Sequence, residues 1–212
     1  MAGIGMNSGT RAALALAFSL VAAAPAAAGQ DAAAVAAAAY GELSISPPTP
    51  SFMTVCHGFG CQYRAELGLT PADHATLKKL MAGGSGSAAK ERQAVAAAGA
   101  WFDKRIAQVA GTAGHVARAN REYMYDKRQF DCIDTSRNTT SLLLLLQELG
   151  LLHYHTVDAP QARGHIFDLK APHATAVLLE KETGVKWSVD AWTRAYGQAP
   201  EIMTLDRWME SD

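Results

Sequence analysis

Five consecutive leucines, Leu142–Leu146, constrain this chain more than any other feature. Five successive positions cover every side of a helix, so a helix that carries them is buried nearly all round. The helix reads as starting at Phe130-Asp131-Cys132-Ile133-Asp134 and running to about Leu149, with Gly150 as its C-terminal stop. Asp131 or Asp134 serves the first turn, where an acid complements the dipole. A central helix needs layers around it, and 212 residues with 49 % apolar content can supply them in one domain. The same placement holds Cys132 rigidly at a helix N-terminus, where backbone N–H groups and the dipole favour a thiolate. The alternative for such a residue is a small buried hydrophobe.

Cys132 is the odd one of three cysteines. Cys56 and Cys61 flank His57-Gly58-Phe59-Gly60, and strand-like segments, Ser51 to Val55 and Gln62 to Leu67, lie on either side. A hairpin closed by a disulfide fits this pattern. Cys56, His57 and Cys61 are also metal-ligand types, but no second ligand pair follows and no Cys-x-x-Cys-His is present. The disulfide is the preferred reading; no metal and no cofactor are expected.

An oxidising compartment would explain that pairing, and the N-terminus points the same way. Arg11 precedes an apolar run from Ala12 to Ala24, followed by Pro25 and Ala26-Ala27-Ala28. This has the form of a signal peptide, residues 1–28, cleaved to leave Gly29. Residues 29–50, Ala-rich and ending in Ser46-Pro47-Pro48-Thr49-Pro50, read as a linker without a fold of its own. The domain proper is expected over residues 51–212, periplasmic or secreted, without stable membrane insertion. A net charge of −1 argues against a nucleic-acid partner.

Thr70-Pro71 marks a helix start, running to about Met81. Gly83-Gly84-Ser85-Gly86-Ser87 breaks the chain. A second helix, from about Ser87 to Ala110, presents Val95, Ala98, Trp101, Phe102, Ile106 and Val109 at helical spacing. Both helices read as scaffold, with His74 and His115 at the surface or at caps.

A nucleophilic thiol needs a base, and the base an orienting group. His153 and His155 alternate in a strand-like stretch, and His165 lies in a polar loop. His173 differs: it opens a strand, His173 to Glu180, that turns through Lys181-Glu182-Thr183-Gly184 and returns as Val185 to Asp190. A four-residue loop, Glu180 to Thr183, puts His173 directly opposite Asp190. A two-residue loop, Glu182-Thr183, leaves them diagonal on the same face, and an odd loop separates them. In either even register Asp190 can orient the imidazole.

The order Cys–His–Asp, with the thiol on a helix start and its partners on paired strands, resembles the transglutaminase-like family of papain-fold cysteine enzymes. The matching residues are Asp131-Cys132-Ile133-Asp134, His173-Ala174 and Val189-Asp190-Ala191-Trp192, so the resemblance spans about residues 125 to 195. It implies an α+β fold with a central helix packed on an antiparallel sheet. It also implies Cys132 as nucleophile, His173 as general base and acid, and Asp190 as orienter, acting on peptide, protein or cell-wall amides. Gln129 and Tyr125 are the candidate oxyanion partners. Phe130-Asp131-Cys132 is also similar to the nucleophile motif of NlpC/P60 peptidoglycan peptidases. A third reading is a binding or assembly protein on a degenerate fold of this kind. Trp187 and Trp192 read as packing residues, with Trp192 placed to shield the His–Asp pair from water. The closing segment, with Leu205, Trp208 and Met209, either docks on the core or folds over the site.

Overall fold

The computed structural model describes residues 1–3, 31–41, 43, 45–164 and 172–211. The expected leader therefore lies almost entirely outside the described residues, as does His165. Among those described, the fold is α+β with five α-helices and two antiparallel sheets.

The central helix, α4, spans Cys132–Glu148, and from Asp134 to Leu146 every residue but Arg137 is buried. Its neighbours form in chain order. Helix α1 is Ala32–Tyr40; strands β1 (Phe52–His57) and β2 (Tyr63–Gly68) make a hairpin; α2 (Pro71–Ala82) and α3 (Ala88–Ala110) follow. After α4 come β3 (His155–Arg163), β4 (His173–Glu180), β5 (Lys186–Asp190) and β6 (Glu201–Thr204), then α5 (Leu205–Glu210). The last four strands form a meander in sequence order. Helix α4 packs on β4 and β3 of that sheet, on β1 of the hairpin, and on α1 and α3.

Local chemistry sets these boundaries. Thr70 and Asp73 form a reciprocal capping box at α2, with Pro71 in its first turn, and Ser87 caps α3. Gly99, costly inside a helix, is explained by packing: a Cβ there would lie 2.7 Å from the Pro200 ring.

Two expectations are corrected. The stretch read as a linker contains α1, and Val35, Ala36, Ala39 and Tyr40 are buried in the core. Its alanines allow close approach to α4, where Tyr40 Oη and Ser141 Oγ share a hydrogen bond at 2.6 Å. Arg137 Nε donates to the Ala39 carbonyl at 3.0 Å, meeting one of the unpaired carbonyls at the helix end. His115 is not a surface residue: it is buried and pairs with Asp103 at 2.8 Å.

Candidate active site

Asp131 caps α4 and forms a capping box with Asp134, each carboxylate accepting the other residue's backbone N–H. Cys132 is thereby fixed at the first helical position, partly exposed and the one free cysteine of the chain. Its Sγ–H faces the Pro172 carbonyl at 3.9 Å, and its sulfur receives the Ala174 N–H. Those two groups flank His173.

His173 and Asp190 meet as the even registers require. The strands adopt the diagonal one: Ala176 pairs with Val189 and Leu178 with Trp187. His173 Nε2 lies 2.5 Å from Asp190 Oδ2, with both residues buried. A carboxylate only accepts, so Nε2 donates to it, and in a neutral ring the lone pair falls to Nδ1. Nδ1 is buried and makes no hydrogen bond among the described residues. The Asp190 carboxylate also takes the Trp208 indole N–H at 2.9 Å and the Trp192 backbone N–H at 3.1 Å. Both indole rings close over the imidazole, with centroids 4.7 Å (Trp192) and 5.3 Å (Trp208) away. The closing segment thus folds onto the His–Asp pair. Its apolar pattern placed Trp208 on a face that either docks on the core or folds over the site, but did not mark it as a ligand of Asp190.

The thiol is not the resting thiolate that its helix position implies. Burial, then the charges of Asp131 and Asp190, push its pKa up to about 11, against the lowering effect of the Ala174 N–H. Desolvation and two carboxylates outweigh the helix dipole.

The oxyanion candidates are elsewhere. Gln129 Oε1 accepts the Val116 N–H at 2.9 Å, and its side chain also hydrogen-bonds Asp126. Tyr125 is 87 % exposed. Gln129 is occupied holding a loop and Tyr125 is exposed, and neither hydrogen-bonds Cys132 among the described residues.

Cys56 and Cys61 form the expected disulfide, and His57 Nδ1 donates to the Lys127 carbonyl at 2.7 Å. The turn between the cysteines is left-handed at four successive residues, Gly58, Phe59, Gly60 and Cys61. At Phe59 and Cys61 this costs roughly 1–2 kcal/mol each. The compensation is visible: Phe59 and Cys61 N–H groups donate to Asp134 at 2.8 and 2.6 Å, and Gly60 N–H to Asp131 at 2.8 Å. Gly58 is required for a second reason, because a Cβ would fall 2.4 Å from the Tyr63 ring. Asn138, one helical turn further along α4, pairs with both the N–H and the carbonyl of Cys56 at 2.8 Å. The disulfide turn is thus bolted to the helix start that carries Cys132. Burial, then the nearby Asp131, raise the Asp134 pKa to about 7 despite these N–H bonds.

His153 and His155 do not share an environment as their alternation suggests. His153 is exposed and precedes β3, whereas His155 is fully buried against Glu91. Glu91 reads from the sequence as an ordinary acid in a helix's first turn, with no signal linking it to His155. No family model, curated protein or solved structure matches this chain.

Proposed function

We propose that the protein is a thiol acyl-transfer enzyme of the transglutaminase-like, papain-fold kind, cleaving or exchanging amide bonds through Cys132, His173 and Asp190. The observation that carries this reading is the buried Nδ1 of His173. It has no hydrogen bond to a described residue, its ring is held by Asp190 through the other nitrogen, and the Cys132 sulfur lies against the backbone on both sides of it. A buried polar atom left unpaired costs free energy, and an unused lone pair on the residue whose two chain neighbours hold the thiol is available to act as a general base.

The chemistry starts from a neutral pair. As Sγ attacks the carbonyl carbon, its proton passes to His173 Nδ1, and Asp190 stabilises the imidazolium. The backbone N–H of Cys132, at the first position of α4, faces the developing oxyanion. His173 then protonates the leaving amine, and water or a second amine resolves the thioester. The disulfide suits an oxidising compartment. We place the enzyme outside the cytoplasm on that ground, together with the signal-like N-terminus.

Iodoacetamide labelling of Cys132 tests the reading, since the other cysteines are paired. A bare thiol with a pKa near 11 reacts tenfold faster with each pH unit up to that value. Base assistance adds a rate near neutrality, about a hundredfold above the bare thiol at pH 7. His173→Ala should remove that component and leave the alkaline limb; identical profiles for the two proteins would sink the proposal. A binding protein without turnover is the second reading, favoured by the raised thiol pKa and the engagement of Gln129 elsewhere. It requires those identical profiles.

A further inference from the structure

A groove of about 170 Å³ opens along α4 from Ile133, the residue after Cys132. Its walls are Ala38 and Ala39 of α1, Ile133 and Arg137 of α4, Pro160 at the irregularity in β3, and Ala174 of β4. One of these touches the thiol, the Ala174 N–H at Sγ, and Ile133 follows Cys132 in the helix. The walls are otherwise small or apolar, and no acid lines them among the described residues. Arg137 is their one charged side chain. Its Nε is used on the Ala39 carbonyl, which fixes the plane of the guanidinium, and its two terminal nitrogens make no hydrogen bond to a described residue. It is also the one residue between Asp134 and Leu146 that is not buried.

A half-buried guanidinium, immobilised through one nitrogen and presenting the other two in a fork, matches a carboxylate in a bidentate pair. From this we infer that the groove is the acyl-side subsite and that Arg137 selects substrates bearing a carboxylate next to the scissile amide. Ala38, Ala39 and Ala174 leave room for that group and the chain carrying it. The inference rests on the reading of Cys132 as the nucleophile. It explains why a helix otherwise enclosed keeps one cation open, and why α1 docks where it does: its C-terminal end both orients Arg137 and walls the groove. The carboxylate can come from an acidic side chain or from a chain terminus.

Matched alkylating probes separate these. In each, Sγ displaces iodide from an N-iodoacetyl group, forming a C–S bond while the thiol proton passes to His173 or solvent. N-iodoacetyl-glutamic α-amide is compared with its glutamine counterpart, and N-iodoacetyl-glycylglycine with its C-terminal amide. One anionic probe should label Cys132 about fivefold faster than its neutral partner, an advantage of the size of an exposed charge pair. Acceleration in the first pair assigns a side-chain carboxylate, and in the second a terminal one. Arg137→Gln should bring the ratio to one, and Arg137→Lys should keep only part of it, since an ammonium retains the charge but not the fork. Equal rates in both pairs, or a ratio unchanged in Arg137→Gln, overturn the inference while leaving the His173 dependence of labelling intact. Loss of that dependence overturns the nucleophile itself.

Discussion

His173 and His155 are both buried against a carboxylate, at 2.5 Å from Asp190 and 2.8 Å from Glu91, yet their second nitrogens differ. His155 Nε2 receives Arg92 at 3.1 Å, and Arg92 itself pairs with Glu180 at 2.6 Å and stacks on Trp187. Glu91 also accepts the backbone N–H groups of His153, Tyr154 and His155. Burial pushes the Glu91 carboxyl up, but these bonds and the His155 contact outweigh it and hold the pKa below the usual range. Both Glu91 oxygens and both His155 ring nitrogens are spent on joining α3 to the start of β3. At His173 the carboxylate is as well served, by Trp208 and Trp192, but one ring nitrogen is kept unspent. A saturated network fixes structure; a network with one open position beside a thiol can move a proton.

Glu91→Ala should have the largest effect on stability. Removing one partner from a buried, hydrogen-bonded pair costs roughly 3–5 kcal/mol, measurable by urea unfolding. The labelling rate of Cys132 in the folded variant should stay within a factor of about two, a limit set by the usual independence of distant sites. A fall in labelling as large as the fall in stability would break the distinction between the two pairs.

Asp134 sharpens the contrast, because it accepts N–H groups as Glu91 does but has an acid, Asp131, where Glu91 has a histidine. Its pKa is correspondingly raised to about 7. A carboxyl raised on folding stabilises the native state fully while both states are protonated. That contribution is lost as pH climbs from about 4 to about 7, since the unfolded chain releases its proton first. The stability difference between the wild type and Asp134→Asn should therefore shift against the wild type across this window and level off above it. A flat difference from pH 4 to 8 would show that Asp134 is ionised throughout.

The third effect is smaller in free energy but falls on the chemistry. His173→Ala should slow labelling at pH 7 about a hundredfold, equivalent to nearly 3 kcal/mol. Its effect on urea stability should be less than that of Glu91→Ala. The reverse order would make His173 a structural residue.

These two pairs were not equally legible in the sequence, and the reason is physical. His173 and Asp190 belong to one hairpin, so any even loop puts them on a shared face, and the choice among one odd and two even registers awaited the structure. The strand β4 is bounded by the residues expected for it, and α3 and α4 run as their caps and apolar spacing indicate. Glu91 and His155 lie 64 residues apart, and no periodicity links a helix acid to a strand histidine across that distance. Helix α1 was hidden for a related reason. Its alanines carry almost no amphipathic signal, and its position depends on Ser141 and Arg137, far along the chain. The strand β6 was missed because four half-buried residues show no alternation to read.

The disulfide turn tests which side of the comparison its surroundings belong to. Joining Cys56 to Cys61 closes a short loop, and replacing both cysteines by serine should cost about 2 kcal/mol on the chain-entropy estimate. The turn reaches the start of α4 through Asp131 and Asp134, whose mutual capping box does not need the disulfide, and through the Gly58 N–H on the Gln129 carbonyl at 2.9 Å. Asn138 still pins the Cys56 backbone through main-chain groups that the substitution leaves in place. Labelling of Cys132 at pH 7 should therefore change by no more than about threefold, the scale of one weakened hydrogen bond. A drop approaching that of His173→Ala would instead mean that the left-handed turn positions the nucleophile. The structural and chemical halves of the molecule would then meet at the N-terminus of α4.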